Sequence, residues 1–197
     1  MERGKVLIGE LVLVSKISLI IFFVSLNQIA YGGSQTLCSE GEVAVLSCAF
    51  DGGKFVSLCA NGTIAADGKT SIKGDYLEYR YGKPGSIELT LPKKRTAPNK
   101  VFKGYFEHST FGVAGNYGNQ RILRVSIANG SYTYEIEEEY SLNTTYDSEV
   151  WGINLTVMKS GKTIANKSCI EGSENYLGDI DLFTRWGFEV VRGPVYE

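Results

Sequence analysis

The chain has 197 residues, 43% of them hydrophobic, and its 20 basic and 22 acidic side chains leave a formal net charge of −2. That length is sufficient for one domain with a substantial core. Without an excess of basic residues, the chain lacks the electrostatic footprint of a nucleic-acid-binding protein. We therefore do not expect nucleic acid as a partner.

The N-terminal segment has the pattern of a secretory signal peptide. It combines three basic residues with an uncharged apolar run at 17–26 and small residues at Ala30 and Gly32. We predict a signal peptide at residues 1–32 and a single β domain at 33–197. An uncleaved anchor is the alternative, but the apolar run is shorter than the roughly 20 residues that span a bilayer. We expect a periplasmic or secreted bacterial protein with no membrane span in the mature chain.

All four cysteines, Cys38, Cys48, Cys59 and Cys169, follow this segment. An even number of cysteines in an exported chain predicts two disulfides. No two cysteines have CxxC spacing and His108 is the only histidine, so we predict no metal site and no cofactor.

The first predicted hairpin turns at residues 51–54, where two glycines can supply positive φ. If its loop is Gly53-Lys54, a cysteine in each strand lies directly opposite the other. If the loop is the pair of glycines, the two cysteines are two residues out of register. The favoured disulfides are Cys48–Cys59 and Cys38–Cys169. The other two connectivities stay open.

Strand and turn signals alternate along the rest of the chain. A second hairpin is predicted to turn at 82–85, and a basic, proline-containing loop follows. A strand is predicted at 101–107, and the glycine-rich segment 109–119 is predicted to be an irregular loop. Two further hairpins are predicted to turn at 129–130 and 160–161.

One helix is predicted near the C-terminus. Ser173 is its candidate N-cap, Tyr176, Ile180 and Phe183 share a face, and Gly187 suits its end. About nine strands, four hairpins and no βαβ spacing predict an all-β fold. The expected architecture is an antiparallel β-sandwich or barrel with one short C-terminal helix, stapled by disulfides.

Period-two alternation of apolar residues assigns one face of several strands to the core. The core candidates are Val43, Val45, Leu77, Leu123, Val125, Ile127, Tyr132, Tyr134, Ile136, Trp151, Ile153, Leu155 and Val157.

The sequence offers no convincing catalytic set. His108 and Ser109 are adjacent on a predicted strand, so their side chains point to opposite faces and are badly placed to act as base and nucleophile. The acidic residues Glu135, Glu137 and Glu139 share one strand face, which we interpret as a solvated surface. A partner for that surface is Arg121 or Arg124 on the neighbouring strand. We predict that the protein is not an enzyme.

Two aromatic stretches are the candidate binding residues. Phe111 and Tyr117 lie in the glycine-rich segment, where loop aromatics either anchor a partner or cap the end of the sandwich. Tyr79, Arg80 and Tyr81 lie on a predicted strand. For Arg80, a structural ion pair with an acidic neighbour is favoured over a ligand contact.

A family resemblance rests on two motifs. Residues 38–59 contain CSEGE, SC and VSLC, and residues 76–85 read YLEYRYGKPG. Over residues 38–92 this combination resembles a family of uncharacterised exported proteins of Gram-negative bacteria, which implies a periplasmic or secreted protein and no particular activity. A weaker similarity, in architecture and in the Asp-Gly-Gly-Lys turn after a cysteine-bearing strand, is to periplasmic lysozyme inhibitors.

We therefore expect a non-enzymatic periplasmic or secreted binding protein, an inhibitor or immunity-type partner of a cell-wall-directed enzyme. The alternative is an envelope-associated structural protein that binds polysaccharide or peptidoglycan. In either case the expected partner is a protein or a cell-envelope polymer.

Overall fold

The structure, a computed structural model, describes most of the chain after the predicted signal peptide, and that prediction lies outside the described residues. The described ranges are 36–64, 70–113, 116–143, 148–170, 174–175 and 180–195. They belong to a compact unit that runs from Ser34 to Glu197. Within these ranges, no helix combines the length and apolar character that a membrane span requires.

The described strands form two sheets, which confirms the predicted all-β sandwich. The five-stranded sheet contains β1 (Glu42–Phe50), β2 (Lys54–Ile64), β3 (Thr70–Lys83), β4 (Ser86–Leu91) and β10 (Glu174–Asn175). The six-stranded sheet contains β5 (Phe102–Val113), β6 (Asn116–Asn129), β7 (Tyr132–Asn143), β8 (Ser148–Lys159), β9 (Lys162–Ser168) and β11 (Glu189–Val195). The five-stranded sheet has the order β10-β1-β2-β3-β4 and the six-stranded sheet has the order β11-β5-β6-β7-β8-β9.

All four predicted hairpins are present, but the expected irregular loop at 109–119 is wrong. The β5–β6 ladder continues through it without a shift, ending with the pairs Phe111↔Gly118, Gly112↔Tyr117 and Val113↔Asn116. Aromatic and β-branched residues favour a strand here. Each glycine weakens a strand by only about 0.5–1 kcal/mol, which a continuous ladder can absorb.

The predicted C-terminal helix is present but shorter than expected. The helix α1 (Ile180–Arg185) begins well after the expected N-cap, because residues 174–175 pair with the edge of β1 as a strand. Ser173 and Tyr176 lie outside the described residues. The stop is as predicted: Gly187 has φ +71, and the N–H of Phe188 donates to the Phe183 carbonyl at 3.1 Å. This is the left-handed glycine cap of a Schellman motif.

The core lies between the sheets and is closed at one side by α1. The predicted core residues on β1, β3 and β6 are buried, as are Ile136, Ile153 and Leu155. Phe183 packs against Phe106 and Phe188, with ring centroids 6.2 and 5.4 Å away. Gly104 on β5 makes room for this cluster, because a Cβ added there would lie 2.0 Å from the Phe188 ring.

The predicted disulfide pairing is wrong. The structure joins Cys38 to Cys59 and Cys48 to Cys169, each with a Cα–Cα distance of 5.4 Å. The first hairpin has a three-residue loop, so Phe50 pairs with Lys54 and Cys48 lies opposite Val56. Cys48 belongs to the core cluster, whereas Cys59 alternates with the core residues of β2 and lies on the opposite face. Two cysteines on opposite faces of a sheet cannot bond.

The two disulfides have different tasks. Cys48 on β1 bonds Cys169, which follows the last residue of β9, and so links the two sheets. Cys38 belongs to residues 36–41, which we call the N-terminal strap, and its bond to Cys59 holds the strap on the outer face of the five-stranded sheet. The strap is also fixed by the N–H of Leu37, which donates to Ser57 Oγ at 3.1 Å.

Replacing Gly104 by alanine should destabilise the fold by about 1–3 kcal/mol, because the added methyl overpacks the Phe188 ring. Gly152→Ala is the matched control, since a Cβ there meets nothing within 4 Å. Urea denaturation with the disulfides intact measures both variants. Equal stability of the two variants would contradict the packing described.

Removing the inter-sheet disulfide should cost more than removing the strap disulfide. The sequence separations are 121 and 21 residues, for which loop entropy gives about 5 and about 3 kcal/mol. The double variants Cys48→Ala/Cys169→Ala and Cys38→Ala/Cys59→Ala test this by denaturant unfolding. Peptide mapping of the unreduced protein checks the connectivity, and a Cys48–Cys59 peptide would refute it.

Candidate binding surfaces

The three candidate residues on β3 lie on two different faces of the five-stranded sheet. Tyr79 faces the core, is 2% exposed, and its ring centroid lies 5.3 Å from that of Tyr134. Tyr81, two residues on, packs against the edge of the core cluster. Arg80 points to the outer face of the five-stranded sheet and is 5% exposed. The three residues therefore do not form one site.

Arg80 is the centre of a buried ion-pair network. One terminal nitrogen donates to Glu42 Oε2 at 2.7 Å and to the Leu37 carbonyl at 3.0 Å. The other donates to Glu42 Oε1 at 2.9 Å and to Glu78. The ion pair between Arg80 and an acidic neighbour that the sequence favoured is thus present, with Glu78 as that neighbour.

A second arginine, from the basic loop after β4, covers the network. Arg95 donates from Nε to Glu78 Oε1 at 3.0 Å and from a terminal nitrogen to Glu42 Oε1 at 2.5 Å. Its guanidinium carbon lies 4.1 Å from the Tyr76 ring centroid, and the Tyr76 hydroxyl donates to Glu42 at 2.9 Å. We call Glu42, Glu78, Arg80 and Arg95 the charge network. It balances two carboxylates with two guanidinium groups and fastens the strap to β3.

The charge network keeps Glu42 ionised. Burial by itself would raise the pKa of the Glu42 carboxyl, but hydrogen bonds from Arg80, the Ser39 N–H and Tyr76, with the charge of Arg80, outweigh it and lower that pKa. A carboxyl with a lowered pKa in the folded state stabilises the fold above its unfolded pKa. That stabilisation is lost as the pH falls through the folded value.

Glu42→Gln should lower the free energy of unfolding at pH 7 by about 3 kcal/mol, because it removes one of the two carboxylates that pair with the buried guanidinium group of Arg80. The difference from the wild type should shrink between pH 7 and a pH below the lowered folded pKa of Glu42, because the wild type then also loses this carboxylate. Denaturant unfolding at both pH values measures it. Glu88→Gln, which breaks the exposed pair with Lys54, is the control and should cost at most about 1 kcal/mol. An equal loss at both pH values would contradict the role of Glu42.

One row across the six-stranded sheet is polar and aromatic, whereas three of the four residues in the row before it on the same face are apolar. The register pairs His108 with Arg121, Arg121 with Tyr140, and Tyr140 with Trp151. We call these four residues the Trp151 row. The preceding row on the same face is Phe106, Leu123, Glu138 and Ile153, all buried. The core face of the sheet therefore changes character at this point.

Glu138, in the preceding row, forms hydrogen bonds with two residues of the Trp151 row. It is completely buried, and Arg121 donates to its Oε1 at 2.5 Å while the Trp151 indole N–H donates to the same oxygen at 3.4 Å. The Arg121 guanidinium carbon lies 5.4 Å from the Tyr140 ring centroid, a cation–π contact. The carboxylate, guanidinium and two aromatic rings thus hold one another in place.

Trp151 was expected in the core, and this is wrong: the residue is 42% exposed. Strand β9 pairs with β8 only from Asn154 to Lys159, so Trp151 lies on a part of β8 that no described strand adjoins on that side. The chain leaves β8 there because Cys169 bonds to Cys48 in the other sheet. Val150, on the opposite face, is 59% exposed.

A small pocket lies between the sheets, away from the Trp151 row. Three tyrosines form one part of its wall, Tyr79 and Tyr81 from β3 and Tyr134 from β7. Apolar residues of β8 and β9 and the exposed Lys167 form the rest, and its volume is about 150 Å³. We call this the tyrosine pocket. It includes two of the residues singled out from the sequence.

The other predicted residues lie elsewhere. Phe111 and Tyr117 are in the β5–β6 ladder, two and three residue pairs beyond the one that joins Ser109 to Gln120, and their side chains are outside the described part of the structure. Arg124 forms the expected ion pair with Glu137 on the acidic face. Arg121, the other suggested partner of that face, instead pairs with Glu138 on the core side.

Sequence reasoning missed Glu138 as a site residue. The one signal for it in the sequence was its position. Glu138 follows Tyr134 and Ile136 at two-residue spacing, so its carboxylate lies on the same core face. A charged residue at a core position needs a buried partner. Arg121 lies two positions from a core residue of β6, so the same spacing places it on the core face as well.

One cluster of possible metal ligands is explained by a disulfide. Among the described residues, Cys38, Glu42 and Cys59 bring possible ligand atoms within 4.8 Å of one another. The two sulfurs are bonded to each other, so they are not available as thiolate ligands.

Comparison with protein-family models, with curated proteins and with solved structures finds no match to this chain. The class that the structure defines is an all-β, two-sheet sandwich with two disulfides and a partly exposed aromatic row on the larger sheet.

Proposed function

We propose that this is an exported, non-enzymatic binding protein whose partner is another protein, with the Trp151 row at the centre of the interface. The observation that carries the proposal is the exposed Trp151 beside Tyr140 and Arg121. Tryptophan, tyrosine and arginine are the residue types that dominate the binding energy of protein interfaces.

Rigidity adds support. The hydrogen bonds from Arg121 and Trp151 to buried Glu138 fix both side chains before any partner arrives. Fixed side chains reduce the conformational entropy that binding costs. The row also lies on strands rather than on a loop, which keeps the positions of its side chains well defined.

Export is supported by the disulfides, because such bonds persist in oxidising compartments and are rare in the cytosol. The partner class we propose is a cell-wall-directed enzyme, which the protein would inhibit or neutralise; the weak likeness to periplasmic lysozyme inhibitors motivates this choice. The second candidate is an envelope polysaccharide or peptidoglycan, favoured by the aromatic rings beside polar groups in the same row.

The test compares Trp151→Ala with Val150→Ala for binding to a panel of purified cell-wall hydrolases and for inhibition of their activity. Removing the indole should weaken binding by about 30-fold or more, which corresponds to about 2 kcal/mol. Val150→Ala is the matched control, because it changes an exposed neighbour on the opposite face of the same strand and should bind like the wild type.

Co-sedimentation with purified sacculi separates the two partner classes. Binding to a hydrolase that depends on Trp151 supports the proposal, whereas Trp151-dependent binding to sacculi alone supports the polysaccharide candidate. The proposal fails if the wild type neither binds nor inhibits any hydrolase, or if both variants bind equally well.

A further inference from the structure

The tyrosine pocket has the size of a single ring. An apolar protein cavity of about 150 Å³ holds one benzene molecule, and pockets for drug-sized ligands start at about 300 Å³. The tyrosine pocket, at about 150 Å³, therefore accommodates one six-membered ring.

The walls suit an aromatic ring in particular. Tyr79, Tyr81 and Tyr134 come from opposite sheets, and Tyr79 and Tyr134 already form a tilted ring pair with centroids 5.3 Å apart. A third ring at such distances gains offset or edge-to-face contacts beyond its area burial. Leu155 and Val157 complete an apolar lining on the β8 side.

The lining of the tyrosine pocket contains one positively charged side chain. Lys167 is the one charged residue in the wall, it is exposed, and its ammonium lies 5.9 Å from the Phe50 ring centroid. Within the described residues it forms no salt bridge. Tyr79 adds no charge, because burial, followed by the influence of Tyr134 and Tyr81, raises the pKa of its hydroxyl far above the usual value.

We propose that the tyrosine pocket binds a small monocyclic aromatic carboxylate, with the ring between the tyrosines and the carboxylate at Lys167. Phenylacetate represents this class: one ring fills the cavity, and one short arm carries the negative charge towards the ammonium group. This site is separate from the Trp151 row, since Trp151 and Val157 are six residues apart on β8, about 20 Å along the strand.

Calorimetry and ligand-observed NMR test this with three probes: phenylacetate, its neutral amide and acetate. A ligand of this size should bind with a dissociation constant on the order of 1 mM. We expect the amide to bind about fivefold to tenfold more weakly than phenylacetate, because it lacks the charge that meets Lys167. Acetate, which lacks the ring, should show no saturable binding.

Four variants locate the site. Lys167→Met should reduce phenylacetate binding to the level of the amide and leave the amide unchanged, whereas Lys162→Met, on the same strand but outside the pocket, should change neither. Ala165→Leu fills the cavity and should abolish binding of both. Trp151→Ala should leave phenylacetate binding intact. A failure of the tyrosine-pocket proposal can therefore be told apart from a failure of the proposed function at the Trp151 row.

The proposal is overturned if phenylacetate shows no saturation up to about 10 mM. Equal effects of Lys167→Met and Lys162→Met would also overturn it, as would unchanged binding in a folded Ala165→Leu protein. Should Ala165→Leu fail to fold, the lysine pair and the three probes still decide the outcome.

Discussion

The register of the β1–β2 hairpin is the constraint on which the rest of the structure depends. Its three-residue loop turns Cys48 into the core and Cys59 to the outer face. Each cysteine must then bond a different segment: Cys48 ties β1 to the chain that leaves the larger sheet, and Cys59 holds the strap. A shift of one residue in this register would move the side chains of the shifted strand to its other face, so the hairpin sets how the sheets and the strap are joined.

The charge network makes the outer face of the smaller sheet a second, polar core. The strap would otherwise lie over buried serines and an arginine, groups that are costly to remove from water without partners. Glu42, at the start of β1, accepts hydrogen bonds from both arginines and from its own strap. Disulfide and network therefore act on the same segment, one covalently and the other by directional contacts.

The inner face of the six-stranded sheet passes through three environments along its strands. The tyrosine pocket occupies the end nearer the Gly130 and Gly161 turns, apolar packing against the smaller sheet fills the middle, and the Trp151 row lies beyond it. Glu138 marks the boundary, because its buried carboxylate joins the last apolar row to the first polar one. One strand face thus supplies both the core and two surfaces suited to binding.

Local patterns in the sequence determined the all-β class, the four hairpins, the glycine stop after α1 and most core positions, because turn chemistry and period-two alternation act over a few residues. Tertiary structure decided what depends on distant segments. A one-residue difference in loop length changed the disulfide partners, and the departure of the chain towards Cys48 left Trp151 exposed. The pocket and the charge network likewise join residues far apart in sequence, and no local pattern encodes how such segments meet.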